Sequence, residues 1–560
     1  MTEFLHPGLV LIFGGLIAAP LRGAARAALV LLAPLAAMVL VWMAPEGAIW
    51  HAQFLGYELT PFAVDKLSRL FALIFSIMAF GGALFALNRD NRIELPAALV
   101  YAGSAVGVAL AGDLVTVFVY WELMAIGSTL VIWSAGTSQS RAASFRYLMI
   151  HLLGGVLLMA GIAGHVAASG SLALGHIALD TPAHWLILAG FLINAAAPPL
   201  SAWLPDAYPE ASWSGTVFLS AFTTKTAVYV LLRSFAGTEL LVYVGLFMVF
   251  YGIVFALLEN DMRRILAYSI VNQVGFMVTG IGIGTEMALN GAAAHAFTHI
   301  IYKGLLLMSA GSVLHMTGKR KCSDLGGLFQ TMPFTATCGI IGALAISAFP
   351  LTSGFVSKSM ISQAAVDGHL YAVWLLLAAA SAGVFLHAGI KFPWFVFFQK
   401  DSGLRPPEPP LNMRLAMFLF SALCIGLGIF YEPLYALLPY SANYVPYDGA
   451  HVVGQLQLLL FSGLVFFLML PMLRRTPTIT LDVDWLYRRA GPAVVAVCAG
   501  ALSRGLATLG TEARDWGAAL LRWTKRWHGP ASVLARTQST GAMALWISVL
   551  LALYLVMYYA

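Results

Sequence analysis

The chain has 560 residues, 60% hydrophobic and only 10% charged, with a formal net charge of +6 and a mean hydropathy of +0.84. That composition belongs to a polytopic membrane protein and leaves little chain for a soluble domain. No basic run outlasts a few residues, which argues against nucleic-acid binding. The four cysteines (Cys322, Cys338, Cys424 and Cys498) lie too far apart for an iron–sulfur or structural zinc site, and no glycine-rich phosphate loop is present, so no metal and no cofactor is expected.

The start, Met1–Pro7, lacks the positive segment of a cleaved signal, so the first apolar stretch is expected to remain as a span. Apolar segments then follow near 7–21, 25–44, 66–87, 95–111, 114–135, 147–168, 184–199, 216–235, 239–258, 265–283, 290–316, 333–350, 370–392, 412–431, 453–473 and 541–559. An all-α polytopic membrane protein of about 16 transmembrane helices is the expectation, because several segments exceed what soluble core helices reach. Lys and Arg fix the orientation. With the N-terminus outside, the inside connections hold Arg22 and Arg26, Arg89 and Arg92, Arg141 and Arg146, Arg263 and Arg264, Lys319 through Lys321, Lys400 and Arg405, and Arg474 and Arg475. The outside connections 44–65 and 169–184 are nearly free of them. Residues 476–540 depart from the pattern. Their mix of Arg, Lys and Trp predicts a cytoplasmic or interfacial amphipathic helix rather than a span.

Ionisable residues inside the apolar segments are expensive and are functional candidates by default. Glu122 stands at mid-depth of 114–135, where a bare carboxylate costs roughly 3 kcal/mol or more. It is therefore protonated, paired or beside water; a structural ion pair is the alternative reading. Lys225 is too deep in 216–235 to reach the surface easily, and a desolvated lysine exchanges protons readily. The alternative for it is a packing role against backbone carbonyls. His295, His299 and Lys303 recur at four-residue spacing in 290–316, so they rise along one side of a helix about 6 Å apart. Histidine takes up and releases protons near neutral pH, so the row has the character of a proton relay. Lys358 follows Pro350 and Gly354, which bracket a helix break, a local architecture used for ion sites; a surface loop lysine is the rival reading. A second break is expected at 197–200. Lys391 lies near the inner end of its span and is a weaker candidate. His151 and His387 read as satisfied bundle histidines, and Asp113 as a helix cap.

The segments Gly112-Asp-Leu-Val-Thr-Val-Phe-Val-Tyr-Trp-Glu-Leu-Met124, Trp203-Leu-Pro-Asp-Ala-Tyr-Pro-Glu-Ala211, Arg264-Ile-Leu-Ala-Tyr-Ser269, the His295–Lys303 row and Ser353-Gly-Phe-Val-Ser-Lys358 occur in this order. Together they resemble the antiporter-like membrane subunits of respiratory complex I and of Mrp-type multisubunit Na⁺/H⁺ antiporters, and 216–233 is most similar to the D-type Mrp subunit. The resemblance covers roughly residues 60–430. It implies two inverted five-helix repeats with discontinuous helices. The expected organisation is N-terminal helices (1–93), a first repeat (94–238), a second repeat (239–400), additional helices (401–475), and an amphipathic segment with a final span (476–560). It also implies a midplane proton path, with Glu122 paired to a lysine, Lys225 central, His295, His299 and Lys303 linking the halves, and Lys358 on the exit side. One position departs: Asn194 stands where the family usually has a lysine. Asparagine can neither pair with Glu122 electrostatically nor bind an extra proton. Either Lys225 takes over the pairing with Glu122, or the first half-channel is altered.

The expected function is proton translocation within a multisubunit Mrp-like cation/proton antiporter, without enzymatic chemistry of its own. Its partners would be other membrane subunits, the lipid bilayer, protons and Na⁺, in a cell inner (plasma) membrane. The rivals are a proton-pumping subunit of a redox-driven complex (NADH:quinone oxidoreductase or a membrane hydrogenase relative), an energy-coupling subunit for inorganic-carbon uptake, and a scaffold with a degenerate channel.

Overall fold

Long apolar stretches must close their backbone hydrogen bonds internally when water is absent, and helices are the local solution. The computed structural model describes residues 4–89, 91–473, 481–530, 532 and 535–559. Arg474 and Arg475, part of the orientation argument, lie outside the described residues. Among the described residues, thirteen helices are long and apolar enough to cross a membrane, and four shorter apolar helices accompany them.

The chain divides into two units, Met1–Asp484 and Trp485–Ala560. In the first unit α1 (Pro7–Ala18) and α2 (Gly23–Met43) lead into a hairpin of β1 (Gly47–Phe54) and β2 (Tyr57–Val64), paired antiparallel. The all-α expectation missed this hairpin, which occupies the 44–65 connection. Then come α3 (Lys66–Ala86), α4 (Glu94–Ala109), α5 (Leu114–Trp133), α6 (Ser138–Ser169), α7 (Pro182–Asn194), α8 (Trp203–Ala207), α9 (Gly215–Leu219) and α10 (Thr223–Ser234). A second series follows: α11 (Leu240–Leu258), α12 (Met262–Ile283), α13 (Glu286–Thr317), α14 (Pro333–Ile346), α15 (Ser353–Asp367) and α16 (Tyr371–Val384), the last running into π-helical turns at Phe385–Lys391 and Trp394–Phe398. The unit ends with α17 (Leu411–Ile429), α18 (Glu432–Ala436) and α19 (Gly449–Leu468).

The two series share local construction. Asp113 and Asp261 each cap a helix and each form an isolated bridge, to Ala173 and Lys321, at the same offset of 148 residues (113 to 261, 173 to 321). The cap expected of Asp113 is present: its carboxylate accepts from Thr116 N at 2.7 Å and Thr60 N at 2.9 Å. α6 and α13 are both 32 residues long and both end on a left-handed glycine, Gly170 and Gly318. The two helix breaks are also built alike. α7 ends with Ala196 at φ 59° and a bond from Ala197 N to Leu192 O of 3.0 Å; α14 ends with Ala348 at φ 55° and a bond from Phe349 N to Leu344 O of 3.0 Å. This six-to-one closure terminates a helix, and the prolines that follow, Pro198 and Pro350, cannot restart it at once. The spans expected at 184–199 and 333–350 therefore stop short, at Asn194 and Ile346. Gly354 has no alternative at its position, since a Cβ there would collide with the Ala345 carbonyl.

The basic connections join one another on one face. Arg26 donates to Asn91 O at 2.6 Å, Asn91 to Ser134 O at 2.8 Å, and Arg320 pairs with both Glu210 at 2.9 Å and Asp261 at 2.7 Å. On the opposite side Arg233 pairs with Asp65, the capping-box residue of α3. Burial opposes ionisation of Asp65, but Arg233 and the Ser68 donors outweigh it and hold its carboxyl below the usual range.

The second unit contains α20 (Gly491–His528) and α21 (Thr540–Tyr559). Leu502, Leu506, Leu509, Trp516, Leu520, Trp523 and Trp527 recur at three- and four-residue spacing along α20, while Arg504, Arg514, Arg522, Lys525 and Arg526 fall on the other side. No residue of α20 is buried within the chain.

Candidate proton path

Three of the predicted residues share α13. His295, His299 and Lys303 are all fully buried. His295 bridges helices: its Nδ1 lies 3.1 Å from Ser357 Oγ on α15 and its Nε2 lies 3.1 Å from Gln273 Oε1 on α12. Tyr302 OH donates to the same Gln273 oxygen at 3.2 Å, and Thr298 Oγ1 meets Ser357 Oγ at 2.8 Å. Lys303 Nζ donates to Ser269 Oγ at 2.9 Å. His299 differs from its neighbours, since neither ring nitrogen has a hydrogen-bond partner among the described residues. It sits between the His295 ring (6.2 Å) and the Tyr302 ring (5.2 Å). A buried imidazole with a donor and an acceptor unmet costs about 1–3 kcal/mol per group unless water enters, so the site has the chemistry of a hydrated path.

Lys358, 2% exposed, donates to Ile346 O at 3.1 Å and lies over the Phe276 ring at 4.7 Å. The helix break produces this contact: where α14 stops, its last carbonyls lose their helical donors, and Lys358 supplies one. The surface-loop reading of Lys358 is therefore wrong. A cavity of about 360 Å³ reaches it, lined also by Ser359, Ser362, Ser381, His451 and Gln455.

Lys225 is fully buried. The sequence reads 216–235 as one span, but the helix is interrupted between Leu219 and Thr223. Lys225 Nζ binds the carbonyl of Ser220 inside that interruption at 2.7 Å, and Thr224 Oγ1 at 3.1 Å. Two residues before it, Thr223 Oγ1 meets Tyr101 OH at 2.6 Å and Tyr147 OH at 3.2 Å.

Glu122 is half-buried, and its Oε1 has no hydrogen-bond partner among the described residues. Among those residues it also forms no ion pair. The expected pairing with a lysine is corrected here: Lys225 turns to the broken helix instead, because freed carbonyls lie within its reach. Glu122 packs on α6 at Gly155, where a Cβ would collide with the carboxylate. Asn194, the last residue of α7, accepts from His151 Nδ1 at 2.7 Å.

Lys391 meets the backbone at the end of a helix. Its Nζ binds three carbonyls at the end of α11, those of Ala256 (2.6 Å), Leu257 (2.7 Å) and Glu259 (2.7 Å). It caps a helix C-terminus, the favourable place for a cation. Sequence reasoning passed over Gln273, Ser269, Ser357, Tyr302, Tyr101, Tyr147 and Thr223. The signal available for them was a polar side chain within an apolar helix.

Residues 111–384 match the protein-family profile described as NADH:quinone oxidoreductase/Mrp antiporter, TM. The chain is 31% identical over 357 residues to the A/B subunit of a probable K(+)/H(+) antiporter of Rhizobium meliloti (strain 1021), a match covering 59% of this chain but only 36% of that relative. It is 28% identical over 415 residues to the D subunit of a Na(+)/H(+) antiporter of Alkalihalophilus pseudofirmus, covering 68% of this chain and 83% of the relative. Its fold is similar to one component of the Mrp complex from Dietzia sp. DQ12-45-1b, with TM-score 0.68 and 21% identity over 81% of this chain and all of that one. It is also similar to one component of the membrane-bound sulfane sulfur reductase, an archaeal respiratory membrane complex, with TM-score 0.72 and 22% identity over 99% of this chain and all of that one. Over residues 111–384 the chain is thus similar to the transmembrane domain described for NADH:quinone oxidoreductase/Mrp antiporter chains, and it spans about a third of the length of its K(+)/H(+) antiporter relative.

Proposed function

We propose that this chain is the proton-translocating subunit of a multisubunit cation/proton antiporter of Mrp type. One observation carries the reading. Lys225, His295, His299, Lys303 and Lys358 are buried together in the membrane domain; among the described residues no carboxylate pairs with any of them, and His299 has no hydrogen-bond partner. A bundle that needed these groups only for packing would satisfy each one, since an unmet buried polar group is costly. Protons would pass among these side chains through ordered water. The work of the chain is binding and releasing protons, and no covalent step is required.

The organisation that goes with this reading is N-terminal helices 1–93, two inverted repeats at 94–238 and 239–400, further helices 401–475, and a C-terminal segment 476–560. An odd number of spans per repeat makes the second copy enter from the opposite side. The basic face would lie in the cytoplasm and the N-terminus outside, in a cell inner membrane. Glu122 would serve the first half without a lysine partner.

The test is the purified complex in proteoliposomes with a pH-sensitive dye. Na⁺ or K⁺ pulses should move protons, and Lys303→Ala should abolish the signal with the complex still assembled. Loss of assembly with normal transport per remaining complex would make the row structural. A second reading, membership of a redox-driven complex, is favoured by the family description itself, which joins NADH:quinone oxidoreductase and Mrp chains. Co-purifying proteins separate the two: small membrane subunits alone support antiport, and iron–sulfur proteins support redox coupling.

A further inference from the structure

We propose that His151 is a proton-carrying residue of the first repeat and stands in for the lysine that Asn194 replaces. The inference rests on the proton-translocating reading above.

Asn194 Oδ1 can only accept, so its 2.7 Å bond places the imidazole proton on His151 Nδ1 and leaves the Nε2 lone pair free. That Nε2 is buried and has no partner among the described residues. A buried ring nitrogen without a protein partner is costly unless water meets it, so this one is placed to bind water. The ring is fixed in place by Tyr147 (centroids 4.0 Å apart) and by Trp203 (4.6 Å, edge-on). Trp203 is itself fixed, with Nε1 donating to Ile193 O at 2.9 Å. Its position is held while one nitrogen stays open.

The surroundings connect His151 in two directions. One helical turn along α6 lies Gly155, where the Glu122 carboxylate packs. On the other side Tyr147 OH donates to Ser128 Oγ at 2.9 Å and reaches Thr223 Oγ1 at 3.2 Å, next to the Thr224 hydroxyl that Lys225 binds. The groups facing the ring are Tyr147 from α6, Asn194 from α7 and Trp203 from α8, with Glu122 of α5 one turn away; none is a cation. The repeat points the same way: the offset that relates Asp113 to Asp261 relates His151 to His299, the other buried histidine of the pair with a free ring nitrogen.

The step balances without electrons. Nε2 takes the excess proton of a protonated water, which returns to neutral water, giving an imidazolium whose Nδ1–H remains on Asn194 Oδ1. The Nε2 proton then passes to water or to the Glu122 carboxylate, and the starting tautomer is restored. Asparagine supports the charge as an acceptor, where a lysine at 194 would have repelled it.

The experiment compares variants in the assembled complex by dye-monitored proton uptake in proteoliposomes, normalised to assembled protein. His151→Gln keeps an amide able to bond Asn194 but cannot take a proton, and it should lower transport at least about tenfold. Adding Asn194→Lys to it should restore most of the transport by returning a proton-binding group to the site. Wild-type transport in His151→Gln overturns the proposal, and so does a loss that Asn194→Lys does not rescue. If His151→Gln does not assemble, His151→Asn is measured in the same way, and failure of both to assemble with Asn194→Lys present marks a structural residue and overturns it. His299→Leu in the same assay separates the two levels. If His299→Leu transports normally, the proton-translocating reading itself falls; if it is inactive while His151→Gln is active, only the role of His151 does.

Discussion

Replacing His299 by leucine should make the protein more stable and inactive. Both ring nitrogens of His299 are buried and without a partner among the described residues. An unmet buried donor or acceptor costs about 1–3 kcal/mol each, so the two groups together set an upper bound of roughly 6 kcal/mol. Water entering the path offsets part of that, and leucine fills a comparable volume without a polar atom. A net gain of about 1–3 kcal/mol is therefore expected, the trade of stability for function that active sites show. The assay is the thermal midpoint of the purified complex in detergent, read beside proton transport per assembled complex. The midpoint should rise and transport should vanish. A lower midpoint with transport retained would refute the reasoning, because it would mean that the imidazole is a packed structural group.

Three further outcomes follow from the geometry. Lys391→Met should destabilise the protein by about 3–5 kcal/mol in chemical denaturation, because three carbonyls at the end of α11 lose a charged donor, while transport per surviving complex stays unchanged. In a stability double-mutant cycle, Glu122→Gln and Lys225→Met should be additive within about 0.5 kcal/mol, since the two side chains do not pair; a larger coupling would restore the ion pair expected from the sequence. Asp65 has a lowered folded-state pKa, so its contribution is complete above the unfolded value near 4 and is lost as pH falls through the lower folded value; Asp65→Asn should flatten the acid limb of a stability-versus-pH curve.

Hydropathy and loop charge by themselves determined that this is a multi-span helical membrane protein, because a segment without water must satisfy its own backbone and the pattern is local. Pro350 with Gly354, and the Pro198–Pro199 pair, located both helix breaks to within a few residues. The spacing of His295, His299 and Lys303 placed them on one helix side, since helical period is also a local property. Other features depend on what comes from elsewhere in the chain. The interruption before Lys225 lies in an uninterrupted apolar run, and only the packed bundle selects the broken form, with Lys225 on the freed Ser220 carbonyl. The lysine partner implied for Glu122 is absent among the described residues, because the neighbour of its carboxylate is Gly155 on another helix and Lys225 binds the broken helix instead. In sequence Lys391 lies near the inner end of a span and Lys358 follows an expected helix break, and neither pattern fixes what its ammonium meets. The fold gives one three carbonyls and the other a cavity beside a broken helix. His151 read as a bundle histidine until α7 brought Asn194 to one nitrogen and no described residue to the other. In each case residue type fixed what chemistry was possible, and tertiary packing decided which atoms were left free to do it.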